Sequence, residues 1–165
     1  MPRRKKTQNE SSHGRSIQIL LAEDCLGDVA LVRKALESVQ VPTTLAVVED
    51  GEQLLQYLID ALKLENDSTH LPFPDVVLVD LNMPKLDGFK ALELISEQNS
   101  CRHLPLVVIS STTNPDDRRL AKALGAHGFI DKAQGPEAFI EQLLFIEHLW
   151  SSPAAVVGSP STRRH

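Results

Sequence analysis

The chain has 165 residues, 42% of them apolar, with a formal net charge of -5. That apolar share supports a packed core and excludes disorder for most of the length, while the acidic balance argues against a nucleic-acid partner. No apolar stretch approaches the roughly 20 residues that cross a bilayer, and Cys25 and Cys101 have neither disulfide-framework nor metal spacing, so a cytoplasmic protein with no membrane partner is expected.

Residues 1–15 are polar, carry the basic group Arg3, Arg4, Lys5 and Lys6, and are read as a disordered arm without a secretory apolar region. Residues 17–22 form a short apolar run suited to a buried parallel strand. Val29, Val32, Ala35 and Leu36 then recur at helical spacing across 28–38, with Pro42 beyond the stop. A β-branched run at 43–48 gives a second strand, and Leu54, Leu55, Leu58 and Leu62 line one stripe of a helix at 51–62. The polar segment 63–74 is long for a connection of this kind and reads as an insert.

The most apolar strand is 75–81, followed by a loop marked by Pro84 and a helix from Gly88 to about 98. Residues 105–110 read as the fourth strand. The fourth helix covers 114–124, with Asn114 as its N-cap and Pro115 at its first position. A fifth strand at 127–131 precedes a closing helix over 136–150. The Ser- and Pro-rich residues 151–165 read as a flexible tail. Five strands alternating with five helices imply an α/β fold, a parallel sheet covered on both faces.

In open parallel sheets, ligands bind outside the carboxyl ends of the strands. Here the first strand ends in Glu23-Asp24, the third at Asp80, the fourth in Ser110-Ser111, and the fifth leads into Lys132. Asp80 interrupts an apolar run, where an unpaired carboxylate costs several kcal/mol. Three carboxylates gathered together repel one another unless a cation neutralises them, and hard oxygen donors without His or Cys suit Mg²⁺ or Mn²⁺. Asp24, Asp80 and the backbone carbonyl of Asn82 are the expected direct ligands. A carboxylate in that setting can attack phosphorus, with the cation, Lys132 and the Ser110 hydroxyl each taking one equatorial oxygen.

The series Glu23-Asp24, Asp80 within VLVDLNMPKLDGF, Ser110 within PLVVISS and Lys132 within GAHGFIDK resembles the response-regulator receiver domain over about residues 17–149. The resemblance implies a receiver domain over 16–150, a doubly wound sheet of order 2-1-3-4-5 and a flavodoxin-like three-layer sandwich. It makes Asp80 the phospho-acceptor, Glu23 and Asp24 the acidic metal pair, Lys132 the phosphate-contacting lysine, and Ser110 and Phe129 the switch pair. It implies a two-component regulator, not an enzyme acting on a foreign substrate, that receives its phosphoryl group from a sensor histidine kinase. Phosphorylation then reshapes the face of the fourth helix, fifth strand and fifth helix.

No output domain is expected after Trp150, and this together with the long segment before the third strand looks similar to single-domain regulators paired with phytochrome kinases. These are often homodimers through that same face and the C-terminal segment. Ile140, Leu144 and Leu149, off the core stripe of Phe139, Leu143 and Ile146, are expected to supply a second apolar surface for such a contact. Ala133 stands where most receivers have Pro after the lysine, so a trans peptide bond is expected there.

Three alternatives compete. A haloacid-dehalogenase-type phosphatase needs an acid two residues after its nucleophile, where this chain has Asn82. A degenerate docking module conflicts with intact Asp24, Asp80 and Lys132. A phosphorelay intermediate or phosphate sink has the same chemistry and stays open.

Overall fold

The computed structural model describes residues 15–63 and 71–151; the two terminal segments and most of the 63–74 segment singled out above lie outside them. In chain order the elements are β1 (Ile17–Ala22), α1 (Leu26–Leu36), β2 (Thr43–Val48), α2 (Gly51–Lys63), β3 (Val76–Asp80), α3 (Gly88–Ser96), β4 (Leu106–Ser110), α4 (Pro115–Ala123), β5 (Gly128–Asp131), α5 (Pro136–Phe145) and a one-turn α6 (His148–Ser151). Short 3-10 turns occupy Asn99–Cys101 and Lys132–Gln134. The sheet is parallel throughout and ordered β2-β1-β3-β4-β5.

The apolar runs are unbroken because both sheet faces are covered. Along β1, Leu20 and Ala22 face one core layer and Ile19 and Leu21 the other. In β3, Val77 and Val79 join the first layer, with Leu54, Leu58, Leu92 and Ala121 from α2, α3 and α4. Val76 and Leu78 join the second, with Val32 of α1 and Phe139 and Leu143 of α5. Period-two alternation thus gives the central strands β3 and β4, buried along their whole length, two apolar faces, while the edge strand β2 keeps Thr44 exposed.

Several local expectations hold. The Asn114 side chain caps α4 by accepting from Asp116 N (3.0 Å), with Pro115 at the first helical position. Val29, Val32, Ala35 and Leu36 are all buried on α1. Others are corrected. The closing helix is not continuous over 136–150: it stops at Phe145, and a turn at Ile146 and Glu147 separates it from α6. Of the residues expected off the core stripe, Ile140, Leu144 and Leu149 are all half-buried, Ile140 and Leu149 against the α1/α5 layer, and among the described residues of α5 the large exposed apolar side chain is Phe145, 79% exposed. Helix α1 begins two residues before the expected start, behind Cys25, which provides no side-chain cap and hence no sequence signal; that cysteine is exposed, while Cys101 is buried.

The order of strands places one feature at the centre of function. The chain runs outward from β1 to β2 and then returns to β3, so connections leave β1 and β3 in opposite directions. The crevice at this switch point opens at the carboxyl ends of β1 and β3.

Candidate functional site

Ala22 pairs with Val79 in the β1–β3 register, which brings Glu23 and Asp24 beside Asp80. Glu23 continues the ladder by donating its N–H to Val48 O (2.9 Å), and its side chain turns inward, 1% exposed, with Oε1 accepting from Cys25 N (3.0 Å). Asp24 faces solvent. Asp80, 5% exposed, accepts from Asn82 N through Oδ1 (3.1 Å).

The loop after Asp80 is fixed from two sides. Asp87 caps α3 by accepting from Lys90 N (2.9 Å). Gly88 then lets the helix start press on the strand end, since a Cβ there would lie 2.3 Å from the Asp80 carbonyl oxygen. On the other side, Lys85 holds a left-handed φ of 63° and its Nζ lies 3.4 Å from buried Asp50, which caps α2 by accepting from Gln53 N (2.8 Å).

Lys132 enters from β5 through the 3-10 turn, which Asp131 caps by accepting from Ala133 N (2.8 Å). All described peptide bonds are trans, the one before Ala133 included, and the lysine still reaches the crevice without proline. Its Nζ donates to Asp28 (2.7 Å), Glu23 (2.8 Å) and Asp80 (3.3 Å), with the lysine side chain 10% exposed. Burial alone would push this ammonium down, but its hydrogen bonds to Asp28 and Glu23 and the charge of Asp80 more than reverse that and hold it above its ordinary range. For Glu23, burial dominates and pushes the carboxyl up to about 7, against the opposing pull of Lys132 and the Cys25 N–H.

One carboxylate oxygen from each of Glu23, Asp24 and Asp80 lies within 4.8 Å of the others. This all-oxygen set, acidic in excess of the single ammonium, fits a hard divalent cation. Ser110 lies one residue beyond the Asp80–Ile109 register pair, fully buried, its Oγ accepting from Thr112 N (3.2 Å). Phe129, on β5, sits beneath the Arg118 guanidinium (4.5 Å to the ring centroid) and borders a cleft of about 430 Å³ with Gln142, Phe145 and Ile146. Sequence reasoning thus located Glu23, Asp24, Asp80 and Lys132, which meet, and Ser110 and Phe129, whose contacts among the described residues are with Thr112 and Arg118. It missed Asp28. An acidic residue in a first helical turn reads as a response to the helix dipole, so nothing local marks Asp28 as a partner of the lysine.

A sheet of this order with such a constellation at its switch point defines a phospho-signalling domain. The chain belongs to the response regulator receiver domain family, whose pattern residues 19–144 match. It is similar to the response regulator Rcp1 of Synechocystis sp. (strain ATCC 27184 / PCC 6803 / Kazusa), 29% identical over 132 residues, covering 80% of this chain and 87% of that protein. The crystal structure of the phosphorylated cyanobacterial phytochrome response regulator RcpA superposes with a TM-score of 0.71 at 29% identity, over 89% of this chain and 100% of that one. The Mn²⁺-bound form of Rcp1 gives 0.70 at 26%, over 88% and 99%. Some relatives are longer: the chain spans 34% of the chemotaxis protein CheV2 of Helicobacter pylori (strain ATCC 700392 / 26695).

Proposed function

We propose that this receiver accepts a phosphoryl group on Asp80 from a phosphohistidine of a sensor kinase, a phytochrome photoreceptor being the favoured donor. The observation that carries the reading is the contact of the nearly buried Asp80 with the Lys132 ammonium, beside Glu23 and Asp24. Asp80 forms the new O–P bond as the P–N bond of the donor breaks, and the departing imidazole nitrogen takes a proton from solvent. Lys132 offers an N–H to one phosphoryl oxygen and Ser110 its hydroxyl to another. Glu23, Asp24, Asp80 and the Asn82 carbonyl would hold Mg²⁺ or Mn²⁺, which when bound neutralises phosphoryl charge.

The chain works on itself alone, promoting its own phosphorylation and dephosphorylation, because Asn82 offers no carboxyl to cycle a foreign substrate. Occupation of Asp80 draws Ser110 and Phe129 inward and alters the α4–β5–α5 face. Exposed Phe145 and Leu120 on that face support a homodimer there, which sedimentation of the pure protein tests. A cytoplasmic location follows from the kinase partnership.

The deciding experiment is incubation with acetyl phosphate and Mg²⁺, followed by mass measurement. A base-labile gain of one phosphoryl group is expected, absent in Asp80→Asn. Undiminished labelling of that variant would remove the reading.

A further inference from the structure

Asp28 belongs neither to the carboxylate trio nor to the phosphoryl-contacting groups, yet it makes the shortest of the three bonds to Lys132: 2.7 Å, against 2.8 Å for Glu23 and 3.3 Å for Asp80. It stands in the first turn of α1, and its side chain is 31% exposed where Glu23 is fully buried. An ammonium has three N–H donors, and these three carboxylates use all of them. A phosphoryl oxygen on Asp80 can gain Lys132 only by taking a donor from one of these partners.

We propose that Asp28 is a positioning residue that draws Lys132 away from Asp80, favouring the cation-bound, unphosphorylated site over the phosphorylated one. The inference rests on the reading of Asp80 as phospho-acceptor. Two effects act in the same direction on the phosphorylated state: Asp28 competes for the ammonium, and its charge repels the added anion. On the cation both effects reverse. The Asp28 charge attracts it, and the hold on Lys132 keeps a positive group from settling deeper among the metal-binding carboxylates.

Removing that charge therefore moves two affinities in opposite senses, which loss of structural integrity would not do. The test compares the full-length wild type with Asp28→Asn and Asp28→Glu. Mg²⁺ binding is measured by calorimetry, and binding of beryllofluoride, an acyl-phosphate mimic, by fluorine NMR at saturating Mg²⁺. In Asp28→Asn, Mg²⁺ affinity should fall and beryllofluoride affinity rise, each about fivefold for a neighbouring charge in a half-exposed site. Asp28→Glu, which keeps the charge, should return both toward wild type.

Two falling affinities, or two unchanged ones, overturn the inference while wild-type binding of beryllofluoride leaves the Asp80 reading standing. Failure of the wild type to bind beryllofluoride at all would overturn that reading, and this inference with it.

Discussion

Lys132 and Glu23 are 109 residues apart in sequence and 2.8 Å apart in space, with side chains 10% and 0% exposed. The dependence is one-sided: the ammonium also holds Asp28 and Asp80, whereas the buried Glu23 carboxylate loses its cation if the lysine is removed. Lys132→Ala should lower the unfolding free energy of the metal-free protein by about 3–5 kcal/mol at pH 8 in urea titrations. Saturating Mg²⁺ should restore part of the loss by neutralising the same carboxylates. The acetyl phosphate adduct should still form, while the change proposed for the α4–β5–α5 face should be lost.

The pH dependence follows from Glu23. Its carboxyl binds protons more tightly folded, at about 7, than at its ordinary value of 4.5, so its contribution to stability is full below about 4.5 and is lost as pH rises to about 7. Glu23→Gln should remove that loss. The difference between wild-type and variant stabilities in EDTA should therefore change across this window, by no more than about 3 kcal/mol. A constant difference from pH 4 to pH 8 would count against the shifted carboxyl.

Gly88 offers a steric test. A Cβ 2.3 Å from the Asp80 carbonyl and 2.7 Å from Leu81 Cα would meet backbone, which cannot swing aside. Gly88→Ala should cost about 2–4 kcal/mol in denaturant unfolding. It should also weaken Mg²⁺ binding, because the displaced loop carries Asn82.

Phe139 provides the contrast. It is fully buried between α5 and the sheet, so Phe139→Ala should cost about 3–5 kcal/mol. Mg²⁺ affinity measured well below the unfolding transition should stay within a factor of two of wild type. A large change would mean that the second core layer sets the crevice geometry.

The contrast between these sites mirrors what was legible in the sequence. The central strands could be read because burial on both faces removes polar interruptions, which also made Asp80 stand out within β3, while β2 was legible from its β-branched content. The start of α4 could be read because Asn114 and Pro115 are local signals with local effects. The break after Phe145 could not, because FIEHLW holds neither Gly nor Pro and the turn uses ordinary residues, with His148 Nδ1 2.8 Å from Phe145 O. Asp28 was illegible for the opposite reason. Its partner lies 104 residues away, and only the folded crossover makes them neighbours.

The turn beyond β4 is wired in series. Ser110 Oγ receives the Thr112 N–H, Thr112 Oγ1 donates to Asp117 Oδ2 (2.6 Å), and Asn114 N donates back to Thr112 Oγ1 (3.3 Å). Asp117 belongs to α4, so a serine that departs either strands an amide or tows the helix entrance along with it. The Ser110 hydroxyl is thus joined to the first turn of α4 through Thr112 and Asp117.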